Sequence, residues 1–177
     1  MTFTDTHCHL ADPKLADSLP AVLAEAQATG VARFIVPATS PKDWHSVVQL
    51  ERPSENIHVA LGIHPWFSDG LNEATFQELE KELIRHPQAW VGEIGLDFYG
   101  KEQTKAQRDT QTDVFIRQLI LAQHLNRRVI IHNLKATAAI AAAVKTAGFT
   151  QGGIVHAFSG SVEEARILVK LGFKIGI

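Results

Sequence analysis

Short apolar runs alternate with longer amphipathic stretches along the whole chain. The first run, residues 3–8, is rich in β-formers and ends among polar side chains. A helical period follows over about 15–29, with Leu19, Val22, Leu23 and Ala26 on one face and Gly30 as a stop. Residues 32–36 (Ala-Arg-Phe-Ile-Val) predict a second strand. Ser40 as N-cap with Pro41 in the first helical position predicts a helix to about residue 51. Residues 57–63, 90–94, 128–131 and 153–155 predict strands three to six. Helical patterns fill the intervals. Residues 73–85 carry Phe76, Leu79 and Leu83 on one face, and about 105–126 carry Phe115, Leu119, Ala122 and Leu125. Residues 137–146 form another, ended by Gly148. Ser161 and Glu164 form a capping box for a helix running to Gly172, and residues 173–177 read as a seventh strand.

Seven strands alternating with six helices predict one α/β domain over residues 1–177 built on a parallel sheet. No strand is followed by a Gly-x-Gly-x-x-Gly turn or a P-loop, so a nucleotide-binding doubly wound sheet lacks support. A His-x-His pair stands at the end of the first strand, which suits the mouth of a (β/α)8 TIM barrel. A full barrel takes about 250 residues. A chain of 177 residues is expected to hold an incomplete one, with about seven strands and with the eighth strand and last helices absent. The first and seventh strands would then present open edges, through which the chain could self-associate.

Composition narrows the function classes. The chain is 45% apolar and 20% charged, with 17 Lys+Arg against 19 Asp+Glu. It is too apolar to be disordered, and its charge balance argues against a high-affinity, charge-driven nucleic-acid binder but not against an enzyme that touches nucleic acid through a local patch. No apolar run reaches the roughly 18 residues of a membrane span. Asp5, His7, His9 and Asp12 make the first residues a poor secretion signal, so a cytoplasmic location is expected. The single cysteine, Cys8, excludes a disulfide framework and a multi-cysteine zinc site. Nine histidines are the unusual count.

Their placement is informative. Asp5, His7 and His9 occupy alternate positions and can face one side, with Cys8 facing the other. His64, Glu93, His132 and His156 end strands three, four, five and six. In a parallel barrel these ends converge on one face. A single buried histidine is usually structural. Polar groups in register on successive strands need a common partner, and a divalent ion is one. Histidines with a carboxylate suit Zn, Mn, Co or Ni better than Ca. Glu93 is placed to bridge two ions, which in such sites stand about 3.5–4 Å apart. Lys101, Lys105 and Arg108 follow strand four and could meet a phosphate backbone, although a solvated helix face explains them as well. Trp66 and Phe67 could stack on a base or pack under a loop. Arg127 and Arg128 precede strand five, at the opposite end, and read as structural.

Asp5-Thr6-His7-Cys8-His9, Gly62-Ile63-His64-Pro65, Gly92-Glu93-Ile94-Gly95-Leu96-Asp97, Ile131-His132 and His156-Ala157-Phe158-Ser159-Gly160 together resemble the TatD family of metal-dependent hydrolases. The last block, with Gly172 to Gly176, looks most like its bacterial YjjV-type branch. The resemblance implies a TIM barrel with two divalent ions (Zn, Mn or Mg) and a monomeric full-length form. Members include Mg-dependent DNases, so DNA is the implied substrate. His7 and His9 would hold one ion, Glu93 would bridge, and His132 and His156 would hold the second. His64 would act beside them, contacting phosphate or supporting the ligands, and Lys101 and Lys105 would be weak substrate contacts. Two departures stand out. The family's strand-eight Asp, a metal ligand and candidate general base, has no match here. Asn133-Leu134 stands where many members have Ser-Arg. The expected activity is metal-dependent phosphodiester hydrolysis by an activated water. The alternatives are a small-molecule ester or amide hydrolase of the same superfamily, and an inactive metal-binding fragment.

Overall fold

The structure is a computed structural model that describes residues 1–52, 56–100 and 103–177. Seven strands form one sheet: β1 (Phe3–Asp5), β2 (Val31–Pro37), β3 (Ile57–Leu61), β4 (Trp90–Asp97), β5 (Val129–Leu134), β6 (Gly153–Val155) and β7 (Phe173–Ile175). Their order in the sheet is their order in the chain, and every neighbouring pair is parallel. Helices return the chain between strands: α1 (Leu19–Ala28), α2 (Trp44–Val48), α3 (Glu73–Arg85), α4 (Lys105–His124), α5 (Thr137–Thr146) and α6 (Val162–Lys170). The result is a curled, partial TIM barrel, as the βα pattern predicts. Among the described residues β1 and β7 each pair on one side only.

Period-two alternation sorts the strand residues into two populations. Phe34, Val36, Val59, Leu61, Val129, Ile131 and Val155 face outward into the main core, where Leu79, Leu83, Phe115, Leu119 and Ile140 of the helices cover them. Each such side chain, fully buried, contributes about 1.5–3 kcal/mol relative to exposure. Ile35, Ala60, Ile130 and Ile154 face the other way and form a separate cluster inside the barrel, with Trp90 packed against it. This small apolar layer separates the two ends of the barrel interior.

Several boundaries differ from the sequence pattern. β1 is only three residues long and wholly exposed, because an edge strand has one neighbour to pair with. Asp12 caps a 3-10 turn (Pro13–Leu15), and the helix that follows starts at Leu19, not at residue 15. Ser40 is not a helix N-cap. The Asp43 carboxylate accepts hydrogen bonds from the Thr39 and Ser40 amides, which holds residues 41–43 in a turn and delays α2 to Trp44. β4 and β5 run past their predicted ends because their ladder continues from Ile94↔Ile131 to Asp97↔Leu134. Gly95 allows this: at its φ of +142°, a Cβ would stand 2.1 Å from the His132 carbonyl oxygen. The bounds of α3 and α5 and the Ser161–Glu164 capping box agree with the sequence pattern. Among the described residues no helix is long and apolar enough to cross a membrane.

Candidate metal centre

Glu93 is the hub of the upper end of the barrel. Its carboxylate is buried on the central strand β4, with the residue 2% exposed. Four histidines from four parts of the chain surround it. His7 Nε2, from the segment after β1, lies 2.7 Å from Oε2. On the other oxygen, Oε1, His156 Nε2 lies at 2.6 Å, His132 Nδ1 at 3.1 Å and His64 Nε2 at 3.5 Å. The His7 and His156 rings stack with centroids 3.7 Å apart, and the His9 ring meets the edge of His7 at 4.7 Å.

Each ring has a reason for its orientation. His64 caps the 3-10 turn Pro65–Phe67, with Nδ1 accepting the Trp66 amide proton at 3.1 Å. Its Nε2 is therefore the nitrogen that faces Glu93. His132 sits on β5 between two carboxylates: Nδ1 faces Glu93, and Nε2 lies 3.2 Å from Asp97 Oδ2. The same Asp97 oxygen accepts the Trp66 indole proton at 2.8 Å. Asp97 is buried and holds no position among the residues singled out for chemistry from sequence. Its signal was its spacing: on one strand, a residue four after Glu93 shares its side.

The electrostatics follow from this packing. Burial opposes ionisation of Glu93, but hydrogen bonds from His132, His156, His64 and His7 outweigh it and hold the carboxyl well below the usual range. Burial, then the charge of His7, pushes His9 down. Burial also pushes His156 down, against the pull of Glu93. Burial opposes protonation of His132 too, yet Glu93 and then Asp97 raise it. Cys8 points away as expected. Its Sγ faces the Ile35 carbonyl at 3.5 Å, and burial, reinforced by Asp5, pushes the thiol up to about 12.

A carboxylate has about four acceptor positions, and four imidazoles compete for those of Glu93. A cation shared between the carboxylate and the imidazoles satisfies the same donor set. Two groups of three ligand atoms lie within 4.8 Å of one another: His7, His9 and Glu93, and His64, Glu93 and His132. They share Glu93, so the residues present fit divalent ions of the kind that take nitrogen and carboxylate ligands. His156 joins through its own contact with Glu93.

The remaining candidates lie apart from this cluster. Asp5 accepts the His7 backbone amide at 3.1 Å and belongs to neither group. Trp66 and Phe67 are exposed beside the centre. Lys105, in the first turn of α4, pairs with Asp109 on its own helix at 2.7 Å, the pattern of a solvated helix face. Lys101 lies outside the described residues. Arg108 stacks on the Phe98 ring, and Asn133 donates to Thr137.

The profile described as "TatD related DNase" matches residues 4–177. The chain belongs to the TatD family. It is 34% identical to the uncharacterized metal-dependent hydrolase YjjV of Escherichia coli K12, over 99% of this chain and 67% of that protein. It is 33% identical to the uncharacterized metal-dependent hydrolase YabD of Bacillus subtilis, over 96% of this chain and 66% of that protein. A TatD relative from Danio rerio, named a putative deoxyribonuclease, is 29% identical over 97% of this chain. The crystal structure of Escherichia coli YjjV superposes with a TM-score of 0.88, covering 98% of this chain and 66% of that one. An Entamoeba histolytica TatD-family structure superposes at 0.85 with 22% identity, a likeness of fold alone. The chain thus spans about two thirds of the length of these TatD relatives.

Proposed function

We propose that this chain carries the metal centre of a hydrolase for phosphodiester bonds, with DNA as the substrate class. One observation carries the reading: a buried carboxylate, Glu93, shared by two groups of histidine ligands. His7, His9 and Glu93 would hold one divalent ion. Glu93 with His132, flanked by His64 and His156, would hold a second. The imidazole-rich set favours zinc and its first-row neighbours over magnesium. Ions so held supply Lewis-acid polarisation of a phosphoryl oxygen and a more acidic water.

The protein's own groups fix the geometry. Asp97 accepts from His132 Nε2 and leaves Nδ1 directed at the centre. An outer carboxylate of this kind sets the tautomer and basicity of a ligating histidine. The Trp66 amide has the opposite effect on His64: by donating to Nδ1 it leaves the proton on Nε2, so His64 suits a hydrogen-bond donor beside the ions. His64 Nε2 thereby offers a proton toward Glu93, at the place where an anionic substrate oxygen would need one. The exposed faces of Trp66 and Phe67 are suited to stacking on an unpaired base. The name of the Danio rerio relative, a putative deoxyribonuclease, supports the same substrate class.

The test is cleavage of end-labelled single-stranded DNA by the 177-residue chain with Zn2+, Mn2+ or Mg2+, beside p-nitrophenyl acetate and a Glu93→Gln variant. Ion-dependent DNA cleavage, lost in the variant, is expected. Turnover of the small ester alone would move the substrate class to small molecules. Calorimetric ion binding with no turnover of either would make this chain a metal-binding body that does not hydrolyse by itself.

A further inference from the structure

The other end of the barrel interior holds a second concentration of charge. Below the layer of Ile35, Ala60, Ile130 and Ile154 lies a cavity of about 710 Å3, within the range of small-molecule sites. Arg33, His58, Arg128 and Lys174 line it. Strand alternation explains their convergence. Arg33 precedes Ile35 by two residues on β2, His58 precedes Ala60 by two on β3, and Arg128, just before β5, precedes Ile130 by two. Lys174 on β7 lies in register with Ile154.

These are inward positions, which in a TIM barrel are dominated by bulky branched apolar residues. Here three of them are cations. No acidic side chain is among the described residues that line the cavity. The lysine and arginine ion pairs of the described residues involve Lys81, Arg85, Lys105 and Arg117 instead. Arg33, Arg128 and Lys174 are exposed, so their charged heads stay solvated and available. The Arg128 guanidinium stands 5.6 Å from the centroid of the Trp90 ring, which restricts where it points. Gln88 and Gln151 add neutral hydrogen-bond donors to the same wall. Beyond the Arg128–Trp90 contact, packing does not account for this, since the three cations make no ion pair among the described residues.

We propose that this cavity binds a small, multiply charged phosphate anion, at a site separate from the metal centre. Three cations around one polar cavity match the two or more charges of such a ligand, and guanidinium groups suit its paired oxygens. Because the site uses no metal ligand, it stands or falls independently of the hydrolase reading.

Pyrophosphate is the probe, titrated calorimetrically into the metal-free 177-residue chain. Saturable binding is expected, weakening as ionic strength rises. An Arg33→Gln/Lys174→Gln variant should lose at least tenfold in affinity, whereas Arg128→Lys should lose less than Arg128→Gln. His7→Ala/His9→Ala should bind as the parent does. Circular dichroism checks that each variant folds, and Lys174→Gln alone, at an exposed strand position, serves if the double variant does not. Absent saturation, unchanged affinity in the cation variants, or loss in the histidine variant would overturn the proposal. Citrate binding as tightly as pyrophosphate would overturn the phosphate class.

Discussion

The two halves of the candidate metal centre rest on different kinds of support. Glu93 and His132 stand on β4 and β5, whose ladder runs through five registered pairs and whose flanking residues Ile94, Leu96, Ile130 and Ile131 are fully buried. His7 and His9 follow β1, a three-residue edge strand with every residue exposed. The central half is positioned by the hydrophobic core. The edge half is tied to the fold by fewer contacts, chiefly the Cys8 amide on the Ile35 carbonyl, and otherwise by the centre itself, through the His7–Glu93 contact and the stacking of His7 on His156. Such a cluster can thus be assembled from one part that the core makes rigid and one part that a few edge contacts and the cluster itself hold in place. Ion binding should tighten the second part far more than the first.

The sharpest break in this contrast is expected at the residue both halves share. Glu93→Gln should cost more in ion affinity and turnover than the roughly 10–100-fold typical of an outer-shell partner. Calorimetry with zinc or manganese reads the affinity, and a loss no larger than that of His9→Ala would refute the hub. Stability should show the same asymmetry. Ile131→Ala, in the buried ladder, should cost about 2–5 kcal/mol in urea unfolding. Phe3→Ala, on the exposed edge, should stay within about 0.5 kcal/mol. Equal costs would mean that the edge is as well anchored as the centre.

Asp97→Asn tests the rigid half by a smaller step. It keeps the shape but weakens the acceptor for His132, so ion affinity should fall about 10–100-fold. Asp5→Asn, which alters a bond to the His7 backbone outside both candidate ligand groups, should change it less. The smallest effect concerns Cys8, held between the two edge ligands. Its thiol is pushed up to about 12, so the neutral form dominates at neutral pH and labelling should be slow. The labelling rate should climb with pH as thiolate appears, and an added ion should slow it a few-fold by ordering the edge. An ion that leaves the rate unchanged would argue against a loosely held edge.

α3, with its apolar stripe, and α5, stopped before Gly148, were legible to the residue. So was the capping box of α6, because its two partners are three residues apart and need nothing distant. The side chains that meet at Glu93 were legible as a group because each closes an apolar run. The segments that misled were decided by side chains reaching for backbone. Asp43 turned a proline-led helix start into a turn, and Asp12 turned the beginning of a helix into a single 3-10 turn. Asp97 stayed hidden for a related reason. Its role exists only once His132 and Trp66 arrive beside it from other elements. The cationic lower cavity was equally invisible, since Arg128 in sequence reads as a charge before a strand, and only closure of the sheet brings it near Arg33 and Lys174.

Trp66 gives this architecture a built-in light source. The residue is 71% exposed, yet its indole N–H is tied to the carboxylate that steadies His132. The other two tryptophans report elsewhere: Trp44 is buried with its N–H on the Gly62 carbonyl, and Trp90 packs against the apolar layer under the metal centre. In a chain where Trp44 and Trp90 are replaced by phenylalanine, the remaining emission would come from one ring beside the mouth. Its intensity and quenching by iodide would then follow the filling of the centre in real time, without a label and without a substrate.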